Sequence, residues 1–215
     1  MQRGGRLWSK RVVFCITHLV VRVVCAVIMP CAALSVPAIA AQEASEDNTM
    51  FWSTTLKMIR AKFPEVAQLS TDSLQAWLDE PGQAEEAQSP SEQTQMVQAP
   101  SKRPLLLDVR EQEEYEVSHL KDAVRAASAK EALEALEGVP TDRPVVLYCS
   151  VGYRSSEMAG FLQKRGFEKV YNLEGSIFAW ANEGKPVYRG GERVQVVHPY
   201  DRVWGKLLKK VLRSW

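Results

Sequence analysis

The stretch "VVLYCSVGYRSS", residues 145–156, decides the fold. Four residues of strand-forming type, Val145 to Tyr148, run straight into Cys149. Ser150, Val151 and Gly152 follow, then Tyr153, Arg154 and two serines that open a helical pattern closed by Gly166. Strand, cysteine, short loop and helix form an arrangement with chemical consequences. Backbone N–H groups of such a loop can turn inward and make an anion-binding nest. The helix behind it points the positive end of its dipole at the same spot. Both effects favour thiolate over thiol, so the sulfur becomes a better nucleophile at neutral pH. Gly152 lets the loop turn tightly. Arg154 closes the loop with a permanent cation, and Ser150, Ser155 and Ser156 add donors. A lone cysteine is more often a small buried core residue. Here the glycine, the arginine and the helix start favour a reactive one.

The flanks repeat the same unit. "PLLLDVR" (104–110), "RPVVLYC" (143–149) and "EKVYNLEG" (168–175) read as short buried strands. Between them lie helical patterns: "EQEEYEVSHL" (111–120), "AKEALEALEG" (129–138, with Leu133 and Leu136 inward), "SSEMAGFLQKRG" (155–166) and "SIFAWANEG" (176–184). Phe178 and Trp180 are expected in the core. Strands alternating with helices imply an α/β fold with a doubly wound parallel sheet. Ligands of such sheets bind beyond the carboxyl ends of the strands, and Cys149 stands at one. Upstream, "LSTDSLQAWLDE" predicts a helix capped by Ser70 or Thr71, with Leu74, Trp77 and Leu78 on one face. "FWSTTLKMIRAKFPEV" predicts a short helix stopped by Pro64. Residues 81–103, rich in Gln, Ser, Pro and Glu, are expected to form a disordered surface insertion.

The segments "LLLDVREQEEYEVSHLKDA" (105–123), "PVVLYCSVGYRSS" (144–156), "FLQKRGFEKVYNLEGSIFAW" (161–180) and "GKPV" (184–187), in that order, resemble a rhodanese domain over residues 68–188. The resemblance implies a rhodanese-type α/β fold and a sulfurtransferase. In this family the loop cysteine carries a sulfane sulfur as a persulfide, taken from a small donor such as thiosulfate and passed to a thiol or cyanide-like acceptor. It implies Cys149 as the sulfur carrier, with Ser150, Val151, Gly152, Tyr153, Arg154 and Ser155 as the cradle. Val151 and Tyr153 are expected on the exposed lip of that cradle, and Arg154 is expected to attract an anionic donor. Asp108 and Arg110 match the family's Asp-x-Arg, and they are expected as an ion pair bracing the next loop. His119 matches a position with a structural role.

The loop from Cys149 to Arg154 has the form Cys-x4-Arg. The related dual-specificity phosphatases use a loop one residue longer, which holds a tetrahedral phosphate. The shorter cradle suits a single sulfur atom, so a Cys-based phosphatase or arsenate reductase ranks behind sulfur transfer. The nearer alternative is a non-catalytic persulfide carrier or redox-sensing module, in which Cys149 is modified without turnover. No cofactor is expected. Three scattered histidines, His18, His119 and His198, give no metal-ligand spacing.

The ends of the chain differ from the middle. Residues 1–41 hold Arg3, Arg6, Lys10, Arg11 and Arg22 and no acidic residue. With those five set aside, 22 of the 27 basic residues face 26 acidic ones, a balance of −4 that does not suit nucleic acid. The basic head, the run "VVCAVIMPCAALSVPAIA" and Ala38-Ile39-Ala40 predict a signal peptide over 1–40 and export to the periplasm. An uncleaved membrane anchor is the alternative. Cys15, Cys25 and Cys31 would leave with the leader, and Cys149 would remain as a single thiol. Residues 41–67 are read as an extension with a short helix. In the extension 189–215, residues 204–215 predict an amphipathic helix with Trp204, Leu207, Leu208, Val211, Leu212 and Trp215 on one face. It is expected to pack on the domain near Trp52, with contact to a membrane surface as the alternative.

Overall fold

A computed structural model of the protein describes the backbone of residues 36–80 and 103–215, with side chains from residue 48 onward. The expected leader up to residue 35 and nearly all of the expected insertion lie outside the described residues. The chain divides into two compact units, 1–46 and 47–215, and the second holds the features below.

A helix, α1, spans Val36–Lys62, much longer than the short helix expected from its pattern. Its residues up to 46 belong to the first unit. Next come β1 (Ala67–Leu69) and α2 (Thr71–Asp79). Ser70 caps α2 by accepting the Ser73 N–H at 3.1 Å, a contact of the kind that contributes about 1 kcal/mol. Then follow β2 (Leu105–Asp108), α3 (Gln112–Val117), β3 (Val124–Arg125) and α4 (Ala129–Ala135). After these come β4 (Val145–Tyr148), α5 (Tyr153–Gln163), β5 (Val170–Leu173) and α6 (Ser176–Asn182). A hairpin of β6 (Val187–Arg189) and β7 (Glu192–Val194) leads to the C-terminal segment.

The five strands β1 to β5 form one sheet in the order β1-β5-β4-β2-β3, every pair parallel. That is the parallel α/β sheet expected, extended by two edge strands that the sequence pattern does not show. β1 has three residues, none of them fully buried, and β3 has two, so neither carries a readable apolar run.

Side chains along β4 alternate between two cores, as the two-residue period of a strand requires. Val146 and Tyr148 join Leu74, Leu106, Leu173, Ile177, Phe178 and Trp180 on one face. Val145, Leu147 and Cys149 join Leu107, Leu136, Ala159 and Leu162 on the other. Phe178 and Trp180 are core residues as expected. Leu136 is buried, but Leu133 is 38% exposed. α4 ends at Ala135, so its single inward row passes through Ala132 and Leu136 and leaves Leu133 outside.

The C-terminal segment does not form the expected amphipathic helix. It makes two short 3-10 turns, Trp204–Leu207 and Lys210–Leu212, separated by extended backbone at Leu208 and Lys209. Leu207 and Leu208, adjacent in sequence, are both fully buried, whereas Val211 is 84% exposed. One helical face would have grouped Val211 with them. The segment does pack near Trp52, as expected: the indole N–H of Trp52 donates to the Leu207 carbonyl at 3.1 Å, and Phe51 stacks on Trp204. Asn182 donates to the same carbonyl at 2.7 Å. The Arg213 guanidinium takes the Leu208 carbonyl, which a helix would have spent on its own N–H ladder. Among the described residues no helix is long and apolar enough to cross a membrane.

Candidate active site

β4 delivers Cys149 to the carboxyl end of the sheet, and α5 starts four residues later. Between them the chain reverses at Gly152, which has φ +111°. A side chain there would be strained, and its first carbon would sit 3.1 Å from the Asn172 amide nitrogen. The carbonyls of Cys149 and Ser150 point away from the loop centre and accept the Ile177 and Phe178 N–H groups of α6, both at 3.2 Å. The Cys149 N–H is bound by the Ser176 hydroxyl at 3.1 Å. With those groups engaged outward, the loop can turn its remaining N–H groups inward.

Those of Gly152 and Ser155 are directed at the sulfur. The Gly152 N–H donates to Cys149 Sγ at 3.1 Å. The Ser155 hydroxyl lies 3.5 Å from Sγ and 2.6 Å from Asn172 Oδ1, so its one proton is shared between two acceptors. Asn172 is held from behind, donating to Gln68 Oε1 at 2.7 Å. Cys149 is 1% exposed. Burial alone pushes its thiol pKa up. The Arg154 charge, the hydroxyl and N–H of Ser155 and the Gly152 N–H more than offset that, and the net shift is downward. The loop therefore stabilises a thiolate.

Arg154 carries a partner that the loop sequence does not announce. Its two terminal nitrogens bind the Glu114 carboxylate at 2.8 and 2.9 Å, and one also reaches Ser150 Oγ at 3.1 Å. Ser150 Oγ donates to Glu114 Oε1 at 2.8 Å. Burial pushes the Glu114 pKa up, but Arg154, Ser150 and Arg110 outweigh it, and the carboxyl is held below its ordinary value. α3 positions this carboxylate, which also accepts the Glu111 N–H at 3.2 Å in a capping box. The cation expected to meet an anionic donor is thus already paired.

Asp108 and Arg110 form the expected brace. Both side chains are fully buried, joined at 2.6 and 2.9 Å, and Arg110 also donates to the Ser118 carbonyl at 2.6 Å. Ser118 in turn donates to the Val196 carbonyl at 2.6 Å, which ties the C-terminal segment to this brace. His119 stacks on Tyr115 and bridges to Tyr188 through its backbone, a structural role as expected.

The remaining loop residues divide. Tyr153 is partly exposed and packs edge-on against Phe63, but Val151, expected on the lip, is buried. Its side chain belongs to the Phe178 and Trp180 core, because the turn at Gly152 directs it back under the loop. Beside Arg154 lies an open groove of about 340 Å³, walled by Val109, Glu111, Ala127, Glu157, Met158 and Phe161.

The rhodanese-like domain family matches residues 84–183 of this chain, which include the whole loop. A sulfurtransferase of Allochromatium vinosum is 36% identical over 83 residues, covering 39% of this chain and 77% of that protein. The chain belongs to the rhodanese family. Another similar member is the thiosulfate sulfurtransferase GlpE of Coxiella burnetii, 36% identical over 76 residues, or 35% of this chain and 70% of that protein. A third is the probable adenylyltransferase/sulfurtransferase MoeZ of Mycobacterium tuberculosis, 38% identical over 82 residues. The match spans 38% of this chain but only 21% of MoeZ. Within this rhodanese, β1, α2, the β6–β7 hairpin and the C-terminal segment lie outside the family match.

The structure brings Gly152, Arg154 and Ser155 to the Cys149 sulfur and Ser150 to the Arg154–Glu114 pair, whereas Val151 turns into the core and Tyr153 packs outward on Phe63. It adds Glu114, Asn172 and Ser176, which sequence reasoning passed over. The spacing Glu111-x-x-Glu114 was a visible signal for α3's capping box. It carried no hint that the carboxylate reaches a loop 40 residues away.

Proposed function

We propose that this protein is a sulfurtransferase that carries sulfane sulfur as a Cys149 persulfide. The observation that supports it best is the convergence of the Gly152 N–H, the Ser155 hydroxyl and the Arg154 charge on a buried sulfur in a Cys-x4-Arg loop. In the first step the thiolate attacks the outer sulfur of a donor such as thiosulfate. A new S–S bond forms, the donor's S–S bond breaks, and the electron pair leaves on sulfite. In the second step a thiolate or cyanide acceptor attacks the terminal sulfur and Cys149 leaves as thiolate. Neither step needs an outside oxidant, and double-displacement kinetics follow. The inward N–H groups that hold the thiolate also suit the persulfide anion.

The test is intact-mass measurement of the protein after exposure to thiosulfate, with Cys149→Ser beside it. One added sulfur atom is expected on the wild type, absent from the variant and removed by cyanide. An unmodified wild type with a reduced thiol would refute thiosulfate as donor. Sulfur loading without turnover would favour the carrier or sensor reading.

We also propose that the protein is exported, on the support of its acid-free basic head, apolar run and Ala38-Ile39-Ala40. An N-terminus at Ala41 in protein recovered from the periplasm is the expected result. Membrane contact through residues 204–215 is left out of the proposal, because the helix it required is not formed.

A further inference from the structure

The C-terminal segment reaches back to the catalytic loop. It folds as a closed strap whose base joins Val197 to Leu212 and Ser214 by backbone hydrogen bonds. At its turn, Asp201 accepts the N–H groups of Val203 and Trp204, both at 2.7 Å, and Gly205 packs against Pro199. Tyr200 sits on this braced turn with φ +63°, a left-handed conformation uncommon for an aromatic residue. Its N–H donates to His198 Nδ1 at 3.1 Å. Its ring covers the Arg154 guanidinium, with the Arg154 Cζ 4.7 Å from the ring centroid. Tyr200 is still 44% exposed. A half-exposed residue in a strained backbone, held over the arginine of the reactive loop, is placed for more than packing.

Arg154 is thereby closed on two sides. Its hydrogen-bonding edge belongs to Glu114, and one face belongs to Tyr200. We infer that Tyr200 is a specificity-determining residue of the sulfur-loading step, selecting against doubly charged donors. The inference rests on the sulfurtransferase reading above. The outer sulfur of any thiosulfonate-type donor can be received by the inward N–H groups of the loop. Thiosulfate brings a second negative charge on its sulfonate end. The guanidinium that could neutralise this charge has one face under the ring and its hydrogen-bonding edge paired with Glu114, which leaves it 28% exposed along the open groove. A donor of the same reaction type with one charge, such as methanethiosulfonate, carries no such penalty. Cys149 attacks its outer sulfur, the same kind of S–S bond breaks, and methanesulfinate leaves with the electron pair.

The experiment compares kcat/KM for methanethiosulfonate and thiosulfate, each normalised to its rate with a small free thiol. It uses the full chain, Tyr200→Gly and Tyr200→Phe. Glycine adopts the left-handed backbone freely, so it removes the ring without straining the strap. The wild type is expected to prefer the monoanion. Tyr200→Gly is expected to improve thiosulfate about three- to tenfold, the scale of a lost cation–π contact, with little change for methanethiosulfonate. Tyr200→Phe keeps the ring and is expected to keep the wild-type ratio. An unchanged ratio in Tyr200→Gly, or an equal fall with both donors, overturns the inference and leaves the ring a structural role. A wild type that takes sulfur from neither donor overturns the sulfurtransferase reading itself.

Discussion

Two arginine–carboxylate pairs flank the site, and they differ in what they hold. Asp108–Arg110 is local, two residues apart, and both side chains are wholly buried. Glu114–Arg154 joins α3 to the catalytic loop across 40 residues, with side chains 4% and 28% exposed. The first pair spends its bonds on the backbone, at Ser118 and, through it, at the strap. The second spends its bonds on the reactive loop, at Ser150, and its charge lowers the Cys149 pKa. The same chemistry braces the fold in one place and tunes a nucleophile in the other. Burial separates them: the sealed pair is bonded only to the protein, while the pair at the mouth also borders the open groove.

The largest effect should come from Asp108→Ala. It leaves Arg110 as an uncompensated buried charge, at a cost of about 3–5 kcal/mol. Thermal unfolding should show it, and sulfur loading should be lost in proportion to unfolded protein. A variant that folds normally but is inactive would break the comparison, because it would give Asp108 a direct catalytic role. Glu114→Ala should cost less stability, about 2–3 kcal/mol, because Arg154 can turn partly to solvent. Its loss of sulfur loading should exceed what unfolding explains, since Ser150 and Arg154 lose their common partner. Equal losses of stability and loading would make the two pairs alike.

pH separates them further. Glu114 has a folded pKa below its ordinary value of 4.5. Its contribution is therefore complete above 4.5 and disappears as pH falls through the lower folded value. Stability measured from neutral to acid pH should be flat until about 4.5 and then decline, and Glu114→Gln should flatten that decline. For Cys149 the folded pKa is also lowered, so the thiolate should persist below the ordinary thiol range. Ser155→Ala, which removes one group near Sγ, should move the thiolate absorbance titration upward in pH, and should cost about 1–3 kcal/mol because the buried Asn172 Oδ1 loses its donor. The smallest effect belongs to an exposed pair, Lys130–Glu134 on α4. Lys130→Ala should change stability by less than about 0.5 kcal/mol, which marks the far end of the same scale.

The core of this protein was legible because its strands are buried on both faces. Leu105–Leu107 and Val145–Tyr148 are unbroken apolar runs, and Val170–Leu173 is interrupted by Asn172 alone. β1, β3 and the β6–β7 hairpin were not legible, since two or three mostly half-exposed residues leave no period to read. The C-terminal segment misled for a related reason. Six apolar residues at helical spacing fit one face of a helix, yet the adjacent Leu207 and Leu208 both bury in the same core beside the sheet. Packing against an existing surface outweighed an intrinsic preference of a few tenths of a kcal/mol per residue.

The reactive centre is written in one continuous stretch of the chain. A buried strand, a cysteine, a loop with Gly152 and a helix start are consecutive, and that order alone marks the reactive sulfur. What surrounds that sulfur comes from contacts between distant segments. Glu114 comes from another helix, Asn172 from the next strand, Ser176 from the helix after it, and Tyr200 from the C-terminal segment. Those contacts exist because a parallel sheet brings the ends of distant strands to one edge. No local pattern in the chain encodes which side chains meet there.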